Sequence, residues 1–181
     1  MPLTIIIPAR DGYNEATGLF FTTKAQTITL EHSLISVSKW EMKWHIPYFS
    51  REPKTNEQNL DYIRCMCLTP NIEPSTFLML TEKNVQAIAA YIEDPMTATT
   101  FKNKDKRPPR EVITNELIYF WMTEFGIPFN PCEKWHLNRL MTLIEVASIK
   151  SQPGKKMSKK DILSQNAALN AQRRARLGTR G

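Results

Sequence analysis

The chain has 181 residues, 41% apolar and 23% charged, proportions that predict one globular domain or one domain with an appendage. No run approaches the roughly 18 apolar residues needed to span a bilayer. The short run Leu3–Ile7 has no basic residue before it and does not read as a secretory leader, and three cysteines point to a reducing cytoplasm rather than a disulfide-stapled fold. The net charge of +6 is unevenly placed: residues 151–181 hold eight basic residues and one acid, for +7, while residues 1–150 come to −1. A basic appendage on a near-neutral body suits an acidic partner, whether nucleic acid, an acidic protein face or an anionic membrane.

Residues 1–30 are β-prone. Leu3-Thr4-Ile5-Ile6-Ile7 ends at Pro8, Asp11-Gly12 and Asn14 offer turn chemistry, and Leu19–Thr23 and Gln26–Leu30 form two further runs. These predict a small antiparallel ribbon that needs cover from helices or a partner chain. From residue 31 the period becomes helical. Leu34, Val37, Trp40, Glu41 and Trp44 share a stripe broadened by Ile35, and Pro47 ends it. Thr55-Asn56-Glu57-Gln58 is a capping box that opens a helix with Leu60, Ile63 and Cys67 on one face. Pro70 and Pro74 bracket a loop. Thr81 caps a helix carrying Val85, Ile88, Ala89 and Ile92, which Asp94-Pro95 closes. Residues 102–110 read as a polar loop.

Thr114 starts a helix that would bury Leu117, Ile118, Trp121 and Phe125; Gly126 suits its C′ position and Pro128 a stop. Asn130-Pro131-Cys132-Glu133 combines a cap, a proline at the first helical position and a box glutamate. It predicts a helix opening there with Trp135, Leu137, Leu140, Met141, Ile144 and Ala147 inward. Pro153-Gly154 breaks the chain, and Ser158-Lys159-Lys160-Asp161 caps a last, alanine-rich helix with a thin stripe of Ile162, Leu163 and Leu169. The fold class expected is mainly α, with a β-ribbon extension over 1–30, a helical body over 31–150 and a basic helical arm over 151–181. The arm buries too little apolar surface to dock alone and is expected to order on binding.

Chemistry-bearing groups are few. Cys65, Cys67, Cys132 and His136 are zinc-competent, but Cys65 and Cys67 have only one residue between them where structural zinc pairs have two to four. No metal or other cofactor is expected. There is no Gly-x-Ser-x-Gly and no glycine-rich phosphate loop. His32, His45 and His136 read as surface or cap residues, and Glu93-Asp94 as a solvated helix end, so no catalytic residue is assigned and the chain does not read as an enzyme. Trp40, Trp44, Trp121 and Trp135 read as structural, contributing heavily to a small core. Partner contacts are assigned to Lys155, Lys156, Lys159, Lys160, Arg173, Arg174 and Arg176. The arm has no Phe, Tyr or Trp, so contact with nucleic acid would be to phosphate and without sequence reading.

The runs Glu116–Met122, Gly126–Phe129 and Trp135–Leu140, with Leu30–Leu34, Ser38–Glu41, Lys155–Lys160, Asn166–Ala171 and Arg173-Arg174, resemble a group of small tailed-bacteriophage proteins. These are similar to products of the tail-morphogenesis region, often labelled tail assembly chaperones. The resemblance covers most of the chain from about residue 30 onward and brings no active site with it. It implies a non-enzymatic protein that holds a tape-measure or tube protein before assembly, in the host cytoplasm. Two alternatives stand beside it. One is a virion tail-tip or baseplate component whose basic arm threads into neighbouring subunits. The other is a nucleic-acid-associated protein using the arm on phosphate. Other tail proteins are the expected partners, in an oligomer or complex, with no membrane contact.

Overall fold

The computed structural model describes residues 1–14, 18–101, 111–151 and Arg173. It divides into two units, Met1–Val146 and Ala147–Gly181. The β-branched runs at the N-terminus form four strands: β1 (Leu3–Ile7), β2 (Arg10–Asn14), β3 (Leu19–Thr23) and β4 (Gln26–Leu30). β1 pairs with β4 and β2 with β3, both antiparallel. Leu3 faces Leu30 and Asn14 faces Leu19, so one register, with partner numbers summing to 33, runs through both pairs. The four strands are thus one long hairpin. The same sum sets Pro8 opposite Ala25, where proline cannot donate a ladder bond, and the pairing lapses there. The turn expected at Asp11-Gly12 and Asn14 is not a turn, because the register carries β2 straight through it. The chain reverses between Asn14 and Leu19, with Gly18 at a φ of +68°.

Alternation decides which face of the ribbon is inside. Ile5, Ile7, Ile28 and Leu30 are buried, whereas Ile6 is 64% exposed. The outer edge of β4 is closed by residues 66–68: Leu68 N donates to Thr29 O at 2.8 Å, and Glu31 N donates to Met66 O at 2.9 Å. Cover for the β1–β4 half of the ribbon therefore comes from the same chain, while Tyr13 and Phe20 on the β2–β3 half are exposed.

α1 (Leu34–Trp44) is capped by Ser33, whose side chain accepts from Ser36 N, and buries Leu34, Val37 and Trp40. α2 (Asn56–Met66) opens on the Thr55/Gln58 capping box. Its inner face is Asp61, Tyr62, Ile63 and Met66; of the expected stripe Ile63 is buried, and Leu60 and Cys67 are half-buried against the core. Asp61 turns inward because Lys43 Nζ and Trp44 Nε1 both donate to its carboxylate. Residues 70–73 form the loop expected between Pro70 and Pro74, and Pro74–Met79 then winds into a 3₁₀ helix.

α3 (Glu82–Glu93) is capped by Thr81 and ends at Asp94. It buries only Ile88 and Tyr91; Val85 and Ala89 face outward, since the helix touches the ribbon along a narrow line. α4 (Asn115–Glu124) buries Asn115, Ile118 and Met122. Leu117, Trp121 and Phe125 are half-buried, because Asn115 is pinned inward and turns the helix about its axis. Gly126, at a φ of +63°, supplies the left-handed residue after α4.

The helix expected to open at Asn130 does not. Phe129–Cys132 makes a single turn, α5, in which Asn130 is extended (φ −90°, ψ 125°). The long helix α6 (Leu137–Ser151) begins later. His136 is held instead by Ser33, with which it forms an antiparallel bridge, and Leu137 N donates to His32 O at 2.7 Å, while Trp135 N donates back to Cys132 O at 3.1 Å. The apolar core joins ribbon, α1, α2, α4 and α6 through Ile28, Leu30, Leu34, Trp40, Met66, Met122 and Leu140. Among the described residues no helix is long and apolar enough to cross a membrane.

Candidate functional site

Two polar constellations stand out. The first lies where the turn Glu31-His32-Ser33 meets Trp135-His136-Leu137. His32 is 2% exposed and His136 4%, with ring centroids 5.1 Å apart. His136 Nε2 lies 3.0 Å from Tyr91 O, and its Nδ1 accepts from Asn138 N at 3.3 Å. A carbonyl can only accept, so Nε2 carries the proton and Nδ1 is left free to cap the first turn of α6. His32 Nδ1 meets the Tyr62 hydroxyl at 2.5 Å. Tyr48 stacks on Tyr62, with centroids 4.3 Å apart, and Tyr91 OH donates to Glu31 Oε1 at 2.6 Å.

Burial sets the charge states here. Desolvation, then the neighbouring His136, holds His32 down to about 3. Desolvation also lowers His136. Burial pushes the Tyr48 hydroxyl up to about 12 and the Tyr62 hydroxyl well above its ordinary value. At neutral pH both imidazoles are neutral and the phenols keep their protons. The cluster is closed by its own internal bonds and works as a joint between α1, α2, α3 and α6. Asn138 extends it, donating through Nδ2 to Ile92 O and Asp94 O at the end of α3.

The second constellation centres on Glu41, which is 7% exposed. Its Oε1 accepts from Tyr48 N at 2.6 Å, and its Oε2 accepts from Asn115 N at 2.8 Å and Asn115 Nδ2 at 2.6 Å. One carboxylate therefore fixes the end of α1, the 46–48 segment and the N-terminus of α4. Charge-assisted bonds of this kind are the strong ones. Above it lie two adjoining depressions of about 480 and 640 Å³ that share Ile46 and Pro47. Residues 111–116 form the facing wall. Met42, Phe49 and Val112 line this groove and are exposed.

The residues singled out from sequence take different places. Trp40 is fully buried and donates through Nε1 to Gln58 O at 2.9 Å. Trp44, Trp121 and Trp135 are half-buried against the core, with Arg139 over the Trp135 ring at 4.1 Å. Cys65 and Cys67 are half-buried and Cys132 is buried, all as free thiols. Among the described residues no three His, Cys, Asp or Glu side chains gather as metal ligands. His32 and His136, read as surface or cap residues, are core residues; only the capping role of His136 was in that reading. Arg173 is helical and exposed, and Lys155, Lys156, Lys159, Lys160, Arg174 and Arg176 lie outside the described residues. Glu31, Tyr62, Tyr91 and Asn115 carry no motif, and sequence reasoning missed them. Comparison with family models, curated proteins and solved structures returns no match.

Proposed function

We propose that the chain is a non-enzymatic bacteriophage tail-assembly protein. Its helical body holds a tail component, the tape measure or the tube protein, before assembly, and its basic C-terminal arm is the element that orders on binding a partner. One observation carries this reading most. The stretches Leu30–Leu34 and Trp135–Leu140, on which the resemblance rests, meet in a buried joint whose histidines and tyrosines are engaged in internal hydrogen bonds. Distinctive residues that build a scaffold suit a protein acting through its surface. A catalytic acid or base must instead reach its substrate.

The test is deletion of the coding sequence from the producing phage, with mass spectrometry of purified particles from the parent. Heads without tails after deletion, and no trace of the chain in parental particles, fit a transient assembly factor. Stoichiometric recovery of the chain from particles would make it a component of the tail or baseplate. Normal tails after deletion would refute both.

A further inference from the structure

The groove above Glu41 has a sign and a floor that say what fits it. Its floor is apolar: Met42 is 72% exposed and Val112 52%, with Ile46 and Phe49 between them. Its lining holds four carboxylates, Glu41, Glu52, Glu111 and Glu116, against one fixed cation, Arg51. The Glu41 charge is bound by N–H donors and by no cation, so it stays uncancelled at the base of the groove. Glu52, Glu111 and Glu116 stand exposed at the rim. The count is of the groove's own lining; the basic run of residues 102–110 lies outside the described residues. An apolar strip with acidic edges takes an apolar strip with basic edges.

The chain carries that complement. Residues 155–176 place Ile162, Leu163 and Leu169 among Lys155, Lys156, Lys159, Lys160, Arg173, Arg174 and Arg176, with Asp161 as the one acid. We infer that the groove between α1 and the start of α4 is the docking site for the basic C-terminal arm of a second copy of this chain. A surface and its complement on one chain give a heterologous contact, which closes into a reciprocal pair or continues head to tail. The contact is small, and its affinity falls in the range of transient complexes. Its charges sit at a wet rim and are screened within about 8 Å at physiological ionic strength. Association therefore weakens with salt. The inference does not depend on which tail component the body holds, and it is tested without one.

The experiment uses the full-length protein in sedimentation velocity over a concentration series at low and high salt. Two variants accompany it: the groove reversal Glu52→Lys/Glu111→Lys and the arm reversal Arg173→Glu/Arg174→Glu/Arg176→Glu. Both change exposed or appended residues, and wild-type melting verifies each fold. Wild-type protein should associate at concentrations on the order of 10 μM, with at least about a tenfold loss at high salt. Each variant alone should remain monomeric there. Their mixture should recover a heterocomplex, because the arm of the first meets the unaltered groove of the second. Carbodiimide cross-linking of mixed ¹⁵N and ¹⁴N wild-type protein reads the same contact without a variant: Lys155–Lys160 should join Glu52, Glu111 or Glu116 of the differently labelled copy. A wild-type chain monomeric at about 100 μM, a groove variant that associates like wild type, a mixture that stays monomeric, or cross-links confined to one label each overturns the inference.

Discussion

His136 does three things with one ring. It donates to Tyr91 O, caps α6 through Nδ1 and packs on His32. His136→Ala leaves a buried carbonyl and a helix end without partners and should cost about 2–4 kcal/mol in urea unfolding. His136→Asn, which keeps an acceptor at the cap, should recover about 1 kcal/mol of that. The pH dependence comes from both histidines, whose protonation burial disfavours, and is clearest for His32. Its folded-state value near 3 lies below the ordinary histidine value of 6.5, so the unfolded chain takes the proton first. The stability that depends on a neutral His32 is complete above pH 6.5 and is lost as pH falls toward 3, by about 1.4 kcal/mol per pH unit. Denaturant midpoints between pH 6.5 and 5, above the range where carboxylates titrate, should fall accordingly, and His32→Gln should flatten that slope by one proton's worth. Neither histidine was legible as a core residue in the sequence. The Leu30–Leu34 run places a leucine two residues to either side of His32, but the partners of His32 and Glu31, Tyr62 and Tyr91, lie 30 and 60 residues away, and pairing over that distance leaves no local pattern. Capping residues were legible for the opposite reason, since Thr55 and Thr81 act on their own next turn.

The ribbon was readable in its strands and misread in its turn. Local chemistry at Asp11-Gly12 favours a reversal, yet the register that joins Leu3 to Leu30 also joins Asp11 to Thr22, and Thr22 Oγ1 donates to Asp11 Oδ1 at 2.7 Å. Pairing along the whole hairpin outweighs one dipeptide. The register itself can be tested. Ile28→Ala removes a fully buried side chain and should cost about 2–5 kcal/mol, while Ile6→Ala, next to two buried isoleucines in sequence, should change stability by less than about 0.5 kcal/mol. A reversal of that order in thermal or urea unfolding would mean that the strand is slipped by one residue. The late start of α6 belongs to the same scale. Asn130-Pro131-Cys132-Glu133 holds every local signal for a helix start, and the chain declines it because His136 is taken by a bridge to Ser33 and Leu137 N by His32 O. Trp121→Ala and Trp135→Ala remove half-buried rings packed against the core. Each should lower stability by about 1–3 kcal/mol, less than the cost of truncating a fully buried tryptophan. Loss of partner binding at unchanged stability would place that ring on a contact surface instead.

At the scale of the whole molecule, charge and packing lie in different parts of the chain. The buried hydrophobic core runs from Ile5 to Ile144, inside the unit Met1–Val146, and the net charge of +7 lies in residues 151–181. A chain ending at Ser151 keeps the ribbon, the histidine joint, the Glu41 network and every residue of that core. It should unfold cooperatively, with a midpoint within about 0.5 kcal/mol of the full-length protein, because changes remote from the core and its buried bonds move stability little. A molten product that binds hydrophobic dyes would place part of the folding information beyond Ser151. Assembly should respond in the opposite way. The arm has helix-forming composition and an apolar stripe of Ile162, Leu163 and Leu169, which is too narrow to repay its ordering entropy without a partner. Its like charges repel until an acidic surface meets them, and charge brings the two together before the short apolar contact forms. Under the proposed function, loss of residues 155–181 should therefore reduce the yield of tailed particles while the body stays folded, and raised salt should weaken the purified complex in the same sense. Hydrogen exchange on free and complexed protein reads the step directly: the expected outcome is arm amides that exchange freely in the monomer and are protected in the complex. Protection already complete in the monomer, or full tail yield without the arm, would mean that the charge in residues 151–181 serves something other than assembly.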